Sequence, residues 1–113
     1  MKEETFFVQV PDNEEGIWGF LKGDMTQVKT FVFTESETNF LMELYDRFNE
    51  RFDKMIDFYE TEHLVPECLA DALKMTQEFA EANQTSQFLP SIQKFQQAVE
   101  LAIRNNVWLI FDF

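Results

Sequence analysis

The chain has 113 residues, enough for one domain (1–113) that buries roughly two-thirds of the surface its unfolded form exposes. With 21 acidic against 9 basic side chains the net charge is −12, which argues against nucleic acid and anionic membrane surfaces as partners, because affinity for both comes largely from Lys and Arg. Hydrophobic residues at 45%, with 14 Phe, exclude a disordered chain, and the lone Cys68 excludes an intramolecular disulfide, which points to a reducing, cytoplasmic setting.

The opening stretch, MKEETFFVQV, has acids at Glu3 and Glu4 and too short an apolar run for a secretory leader. No segment approaches the roughly 18 apolar residues of a membrane span. Within that stretch TFFVQV is β-branched and aromatic and stops at PDNEEG, so residues 5–10 read as a strand followed by a turn. GIWGFLK and VKTFVFT, separated by GDMTQ, read as a hairpin of strands over 17–22 and 28–34. Gly19, between Trp18 and Phe20, marks a bulge or a close backbone contact. In the third strand Lys29, Phe31 and Phe33 share one face and Val28, Thr30 and Val32 the other, which predicts at least a partial cover on each side.

From Thr34 the period changes from two to 3.6. Ser36 or Thr38 offers an N-cap, and the apolar positions predict a helix over 37–61. Pro66 suits the first turn of a second helix that ends near Ala82 or Asn83, with Leu69, Ala72, Leu73, Thr76, Phe79 and Ala80 as its seam. Leu89 and Pro90 open a third, with Ile92, Phe95, Val99, Ala102 and Ile103 inward and Asn105 and Asn106 as its stop. VWLIFDF then reads as a buried strand. The expected fold is α+β in the order βββαααβ: a small antiparallel or mixed sheet, the last strand returning to the N-terminal ones, and three helices packed on one face.

Chemistry is sparse. His63 and Cys68 lie five residues apart between and within the first two helices, but no third group is indicated to orient a nucleophilic pair. One His and one Cys cannot make a tetrahedral metal site, and no HExxH or CxxC spacing occurs. The three glycines flank strand-like residues instead of opening a helix, so no phosphate cradle forms. The expectation is a protein that is no enzyme and uses no cofactor or metal.

The distinctive feature is FLMELYDRFNERFDKMIDFYE. At about 100° per residue, Leu41, Leu44, Tyr45, Phe48, Phe52, Met55, Ile56 and Tyr59 form an apolar stripe. Glu43, Asp46, Glu50, Asp53, Asp57 and Glu60 form a second stripe with no basic residue inside it. Exposed helices usually mix signs at three- and four-residue spacing, because such pairs stabilise by about 0.2–0.5 kcal/mol and like charges cost about as much. Glu43 with Arg47 and Glu50 with Lys54 obey that pattern, whereas Asp46 with Glu50 and Asp53 with Asp57 repel. The basic residues sort to one flank. A solvated surface would account for acids alone, but sorting at a local cost suits a cationic groove on another protein, with Tyr45 or Tyr59 as an aromatic anchor at the edge.

In size, acidity and lack of catalytic apparatus across the whole chain, the sequence resembles the immunity proteins that bacteria make against their own polymorphic, contact-dependent or colicin-type toxins, many of which are nucleases. The resemblance implies a basic protein partner, neutralised by covering its active site; the sequence leaves monomer and homodimer both open. Alternatives are a phage-type DNA mimic directed at a nuclease and a non-catalytic structural or regulatory domain that pairs through its helices.

Overall fold

A computed structural model describes residues 4–113; residues 1–3, with Glu3 of the opening stretch, lie outside the described residues. The elements in chain order are β1 (Thr5–Pro11), α1 (Glu14–Leu21), β2 (Val28–Thr34), α2 (Glu35–Phe52), β3 (Thr61–Leu64), α3 (Pro66–Ala82), α4 (Leu89–Asn105) and β4 (Leu109–Asp112). The class is the expected α+β. The strands make one four-stranded antiparallel sheet in the order β2-β1-β4-β3, with β4 returning beside β1 as its apolar run requires.

Register decides which side chains meet. Val8 stands opposite Phe31 on one side and Phe111 on the other, and Leu64 opposite Leu109. Directly opposed residues share a face, so Val8, Val10, Phe31, Phe33, Leu109, Phe111 and Leu64 line one side. All of them are buried in one cluster with residues of α2, α3 and α4. α2 and α4 lie against the strands, and α3 packs on α4 and α2. The middle of the cluster is aromatic: Tyr45 meets Phe95 and Phe111 edge-on at 5.3 Å in each case, and Phe48 lies 6.0 Å from Phe95. Each such ring contributes roughly 1.5–3 kcal/mol by leaving water.

The opposite face carries Phe7, Gln9, Thr30, Val32, Ile110 and His63. The strand pattern in VKTFVFT predicted at least a partial cover there too, and Gln9 and Ile110 are buried on this face, but the cover stops short of β2, where Val32 is 47% exposed and Thr30 is exposed. The three long helices contribute to one core only, and β2 is an edge strand, so its outer face meets water.

Four further expectations are corrected. Residues 14–21 form a helix where 17–22 were read as a strand: the Asn13 side chain accepts from the Gly16 N–H and Glu14 and Glu15 occupy the first turn, both favourable at a helix start. The helix and the connection that follows it approach so closely that a Cβ at Gly16 would lie 2.5 Å from the Gln27 carbonyl oxygen and one at Gly19 2.9 Å from that of Asp24. Gly19 thus marks a close contact and not a bulge. The cap of α2 is Thr34, not Ser36 or Thr38: its hydroxyl accepts from the Glu37 N–H while the Glu37 carboxylate accepts from the Thr34 N–H, and a reciprocal pair satisfies two orphan donors at once. α2 ends at Phe52, nine residues short of the expected end at 61, and residues 61–64, read as the end of that helix and the connection after it, are a strand. Ile103 faces outward, 40% exposed. The second and third predicted helices match α3 and α4, with Pro66 in the first turn of one and Asn106 closing the other at φ 53°.

Candidate functional site

The acidic stripe is not one helical ridge. α2 stops where Asp53 takes a left-handed conformation, φ 55° and ψ 55°, and residues 53–60 turn back across the end of the helix. Asn49 makes the reversal: its side chain accepts from the Ile56 N–H at 2.7 Å and donates to the Ile56 carbonyl at 2.9 Å. This pulls Ile56 into the core at 1% exposure. Glu62 on β3 accepts from the Met55 N–H and pairs with Lys54 at 3.8 Å. Asp57 accepts from the Phe58 N–H. Phe58 packs edge-on against Phe6 with centroids 5.0 Å apart, and the Tyr59 hydroxyl donates to Glu4 at 2.9 Å. The loop is therefore fixed at both ends and in the middle.

Between this loop and the last turns of α2 is an open concavity of about 230 Å³ lined by Asp46, Asn49, Lys54, Met55, Ile56, Asp57 and Glu60. Three of the six stripe carboxylates, Asp46, Asp57 and Glu60, thus meet at one place, though two of them come from a loop. Glu50 and Asp53 are exposed beside it without lining it. Glu43 is exposed and held by Arg47 at 3.4 Å. Lys54 does not pair with Glu50 as its spacing suggested; the early end of α2 sends it to Glu62. Among the described residues no cation lies within ion-pair distance of Asp46, Glu50, Asp53, Asp57 or Glu60. Arg51 is likewise turned away, to Asp71 on α3 at 2.8 Å. The sorting of charge seen along the sequence therefore holds in part: Arg47 and Arg51 are held by Glu43 and Asp71, but Lys54 lines the same concavity as Asp46, Asp57 and Glu60.

The aromatic anchors separate cleanly. Tyr45 is 1% exposed in the core and offers nothing to a partner. Tyr59 is 71% exposed, and Met55, which sequence reasoning assigned to the apolar stripe, is 75% exposed. Both stand on the fixed loop. Tyr59 keeps a left-handed backbone, φ 65°, a conformation that costs a bulky residue of order 1 kcal/mol and persists only where neighbours impose it. Its phenol is held above its usual range by the bond to Glu4 and the Glu4 charge.

No protein-family model, curated protein or solved structure matches the chain. Its own geometry therefore bears the functional reading. Two other sites suggested by residue type lie elsewhere. His63 is not interhelical but on β3, stacked on Trp108 with centroids 3.9 Å apart, where burial and Lys54 hold the imidazole below its usual range and Glu62 partly offsets them. Cys68 is half-buried in the first turn of α3. Among the described residues no group of three or more His, Cys, Asp or Glu is placed to hold a metal ion, and no helix is long and apolar enough to cross a membrane.

Proposed function

We propose that the chain is an acidic inhibitory protein of the immunity type, which neutralises a basic bacterial toxin of the nuclease class by covering its active site. The observation that carries this reading is the concavity ringed by Asp46, Asp57 and Glu60, next to Glu50 and Asp53, all exposed and without a cation of their own among the described residues. A nuclease binds a run of phosphates with Lys and Arg. Carboxylates on a fixed surface meet the same groups, and a basic side chain entering the concavity finds three carboxylates, with the one lining cation, Lys54, already paired with Glu62. Met55 lines the concavity and Tyr59 stands exposed on the same loop, and both are side-chain types enriched in the buried core of protein interfaces. The net charge of −12 steers the encounter, raising association rates by roughly 10- to 10³-fold at low salt.

Local energetics point the same way. Asp53 places a negative charge at the C-terminal end of α2, where the helix dipole disfavours it, between Glu50 and Asp57. A sequence under selection for stability alone has better residues for that position.

The test is protection. The product of the gene beside this one should be a basic, toxic protein that the chain binds and neutralises on co-expression. Replacing Asp46, Asp57 and Glu60 by Lys together should abolish binding and rescue with an unchanged circular dichroism spectrum, because exposed substitutions rarely cost much stability. Retained binding by that triple variant would falsify the site.

A further inference from the structure

The order β2-β1-β4-β3 leaves β2 and β3 as the sheet's edges. β3 has four residues, whereas β2 has seven and contains no proline. An open edge of that length is a template for another strand, so its backbone groups can be assigned one by one. The Glu35 N–H donates to the Glu4 carbonyl at 2.9 Å, which extends the β1–β2 ladder and sets its parity. Phe33, Phe31 and Lys29 therefore turn their backbone groups toward β1, and Thr34, Val32, Thr30 and Val28 turn theirs outward.

Of the outward groups, half are already used. The Thr34 N–H donates to Glu37, the Thr34 carbonyl accepts from the Thr38 hydroxyl, the Val32 carbonyl accepts from Lys94 Nζ at 2.6 Å, and the Val28 N–H donates to the Met25 carbonyl at 3.3 Å. The Val32 N–H, both Thr30 groups and the Val28 carbonyl have no partner among the described residues.

We propose that a second copy of this chain occupies this edge, β2 pairing antiparallel with β2 about a two-fold axis at Thr30. In that register Thr30 stands against Thr30 and Val32 against Val28 of the second copy. Each Thr30 N–H meets a free Thr30 carbonyl, and each Val32 N–H meets a free Val28 carbonyl, so every free group is used. The two groups that would otherwise face each other, the Val28 N–H and the Val32 carbonyl, are the ones satisfied within their own chain. Sliding the pairing to set Thr30 against Val28 or against Val32 leaves a Thr30 group facing one that is already bonded. The edge is thus complementary to itself in a single register.

Charge agrees with that occupant. β2 carries no acidic side chain, and Lys29 stands opposite Phe31 of the second copy, so no like charges oppose each other directly. Elsewhere two copies at −12 each repel. The association is therefore weak and is strengthened by salt, which screens the repulsion, whereas binding to a cationic toxin is weakened by salt. A strand edge alone also falls short of the roughly 800 Å² per partner of a standard interface.

Sedimentation of the full chain from about 10 µM to about 1 mM should show the mass rising from 13.5 kDa toward twice that value, at lower concentration when salt is added. Amide exchange at Thr30 and Val32 should slow as concentration rises, with Val28 and Thr34 unchanged. Thr30→Pro removes an N–H that the fold does not use, a tolerated change on an edge, and should abolish the dimer. A constant 13.5 kDa mass, a dimer that survives Thr30→Pro, or exchange at Thr30 and Val32 independent of concentration overturns the proposal. The exchange measurement on the unaltered chain decides the matter if Thr30→Pro fails to fold.

Discussion

The side-chain amide of Asn49 bonds both backbone groups of Ile56, seven residues on, at 2.7 and 2.9 Å, and so holds the loop that carries Asp57 and Glu60 against the end of α2. Asn49→Ala leaves a partly buried donor and acceptor unpaired, at a cost of about 1–3 kcal/mol. Urea denaturation should show that loss, and the Ile56 amide should exchange much faster than the neighbouring helix. If the proposed function holds, partner binding should weaken even under conditions where the variant is fully folded, because the concavity loses its far wall.

Glu37 ties three elements together. It accepts from the Thr34 N–H and from the Ser91 hydroxyl and lies 3.4 Å from Lys94. Burial pushes its carboxyl up, but the bonds from Ser91 and Thr34 and the Lys94 charge outweigh burial and hold it below the ordinary 4.5. A carboxyl whose folded pKa lies below its unfolded one contributes stability that is present above the unfolded value and is lost as pH falls through the folded value. Unfolding midpoints should therefore drop below about pH 4.5, and Glu37→Gln, less stable at neutral pH, should show a shallower drop. An equal acid slope in the two proteins would remove Glu37 from the cause.

His63 acts in a higher window with the same sign. Burial against Trp108 and the nearby Lys54 depress its pKa below 6.5, against the opposing Glu62 charge. As pH falls below 6.5 the unfolded chain takes up the proton first, so stability declines until the folded imidazole titrates as well. NMR titration should place the His63 midpoint under 6.5. His63→Phe keeps an aromatic surface against Trp108 and should flatten the stability profile there.

The parts of the fold visible in the sequence are those where one period held and ordinary punctuation ended it. Pro66 and Asn83 bound α3, and Pro90 and Asn106 bound α4. Two elements escaped because local signals conflicted. In EEGIWGFL the aromatic and β-branched residues argued for a strand, while Asn13 followed by two Glu was a helix start; tertiary contact of Gly16 and Gly19 with the β2 approach decided it. Past Phe52 the apolar spacing of Met55, Ile56 and Tyr59 continued the helical stripe by coincidence. The stop is a left-handed Asp, not the usual Gly. Asn49 was the available hint, since Asn inside a helix often has its side chain bonded elsewhere. For the site, the acids were legible as a sorted set, but their convergence depends on that reversal, which also exposes Met55 and separates Tyr59 from the buried Tyr45.

Asp53 offers the sharpest separation of stability from function. Its backbone is left-handed, where Asn is tolerated as well as Asp, and its charge sits at the negative end of the α2 dipole among other carboxylates. Asp53→Asn keeps the conformation and removes only the charge. It should raise stability by about 0.3–1 kcal/mol, read as a higher denaturation midpoint, with most of the gain lost at high salt. On the proposed function, the same substitution should weaken partner binding, chiefly through a slower association rate, because it subtracts from the field that guides a cationic partner. If Asp53→Asn stabilised the fold and left association unchanged, the unfavourable charge would have no role in recognition, and the carboxylates of the concavity would have to account for binding without it.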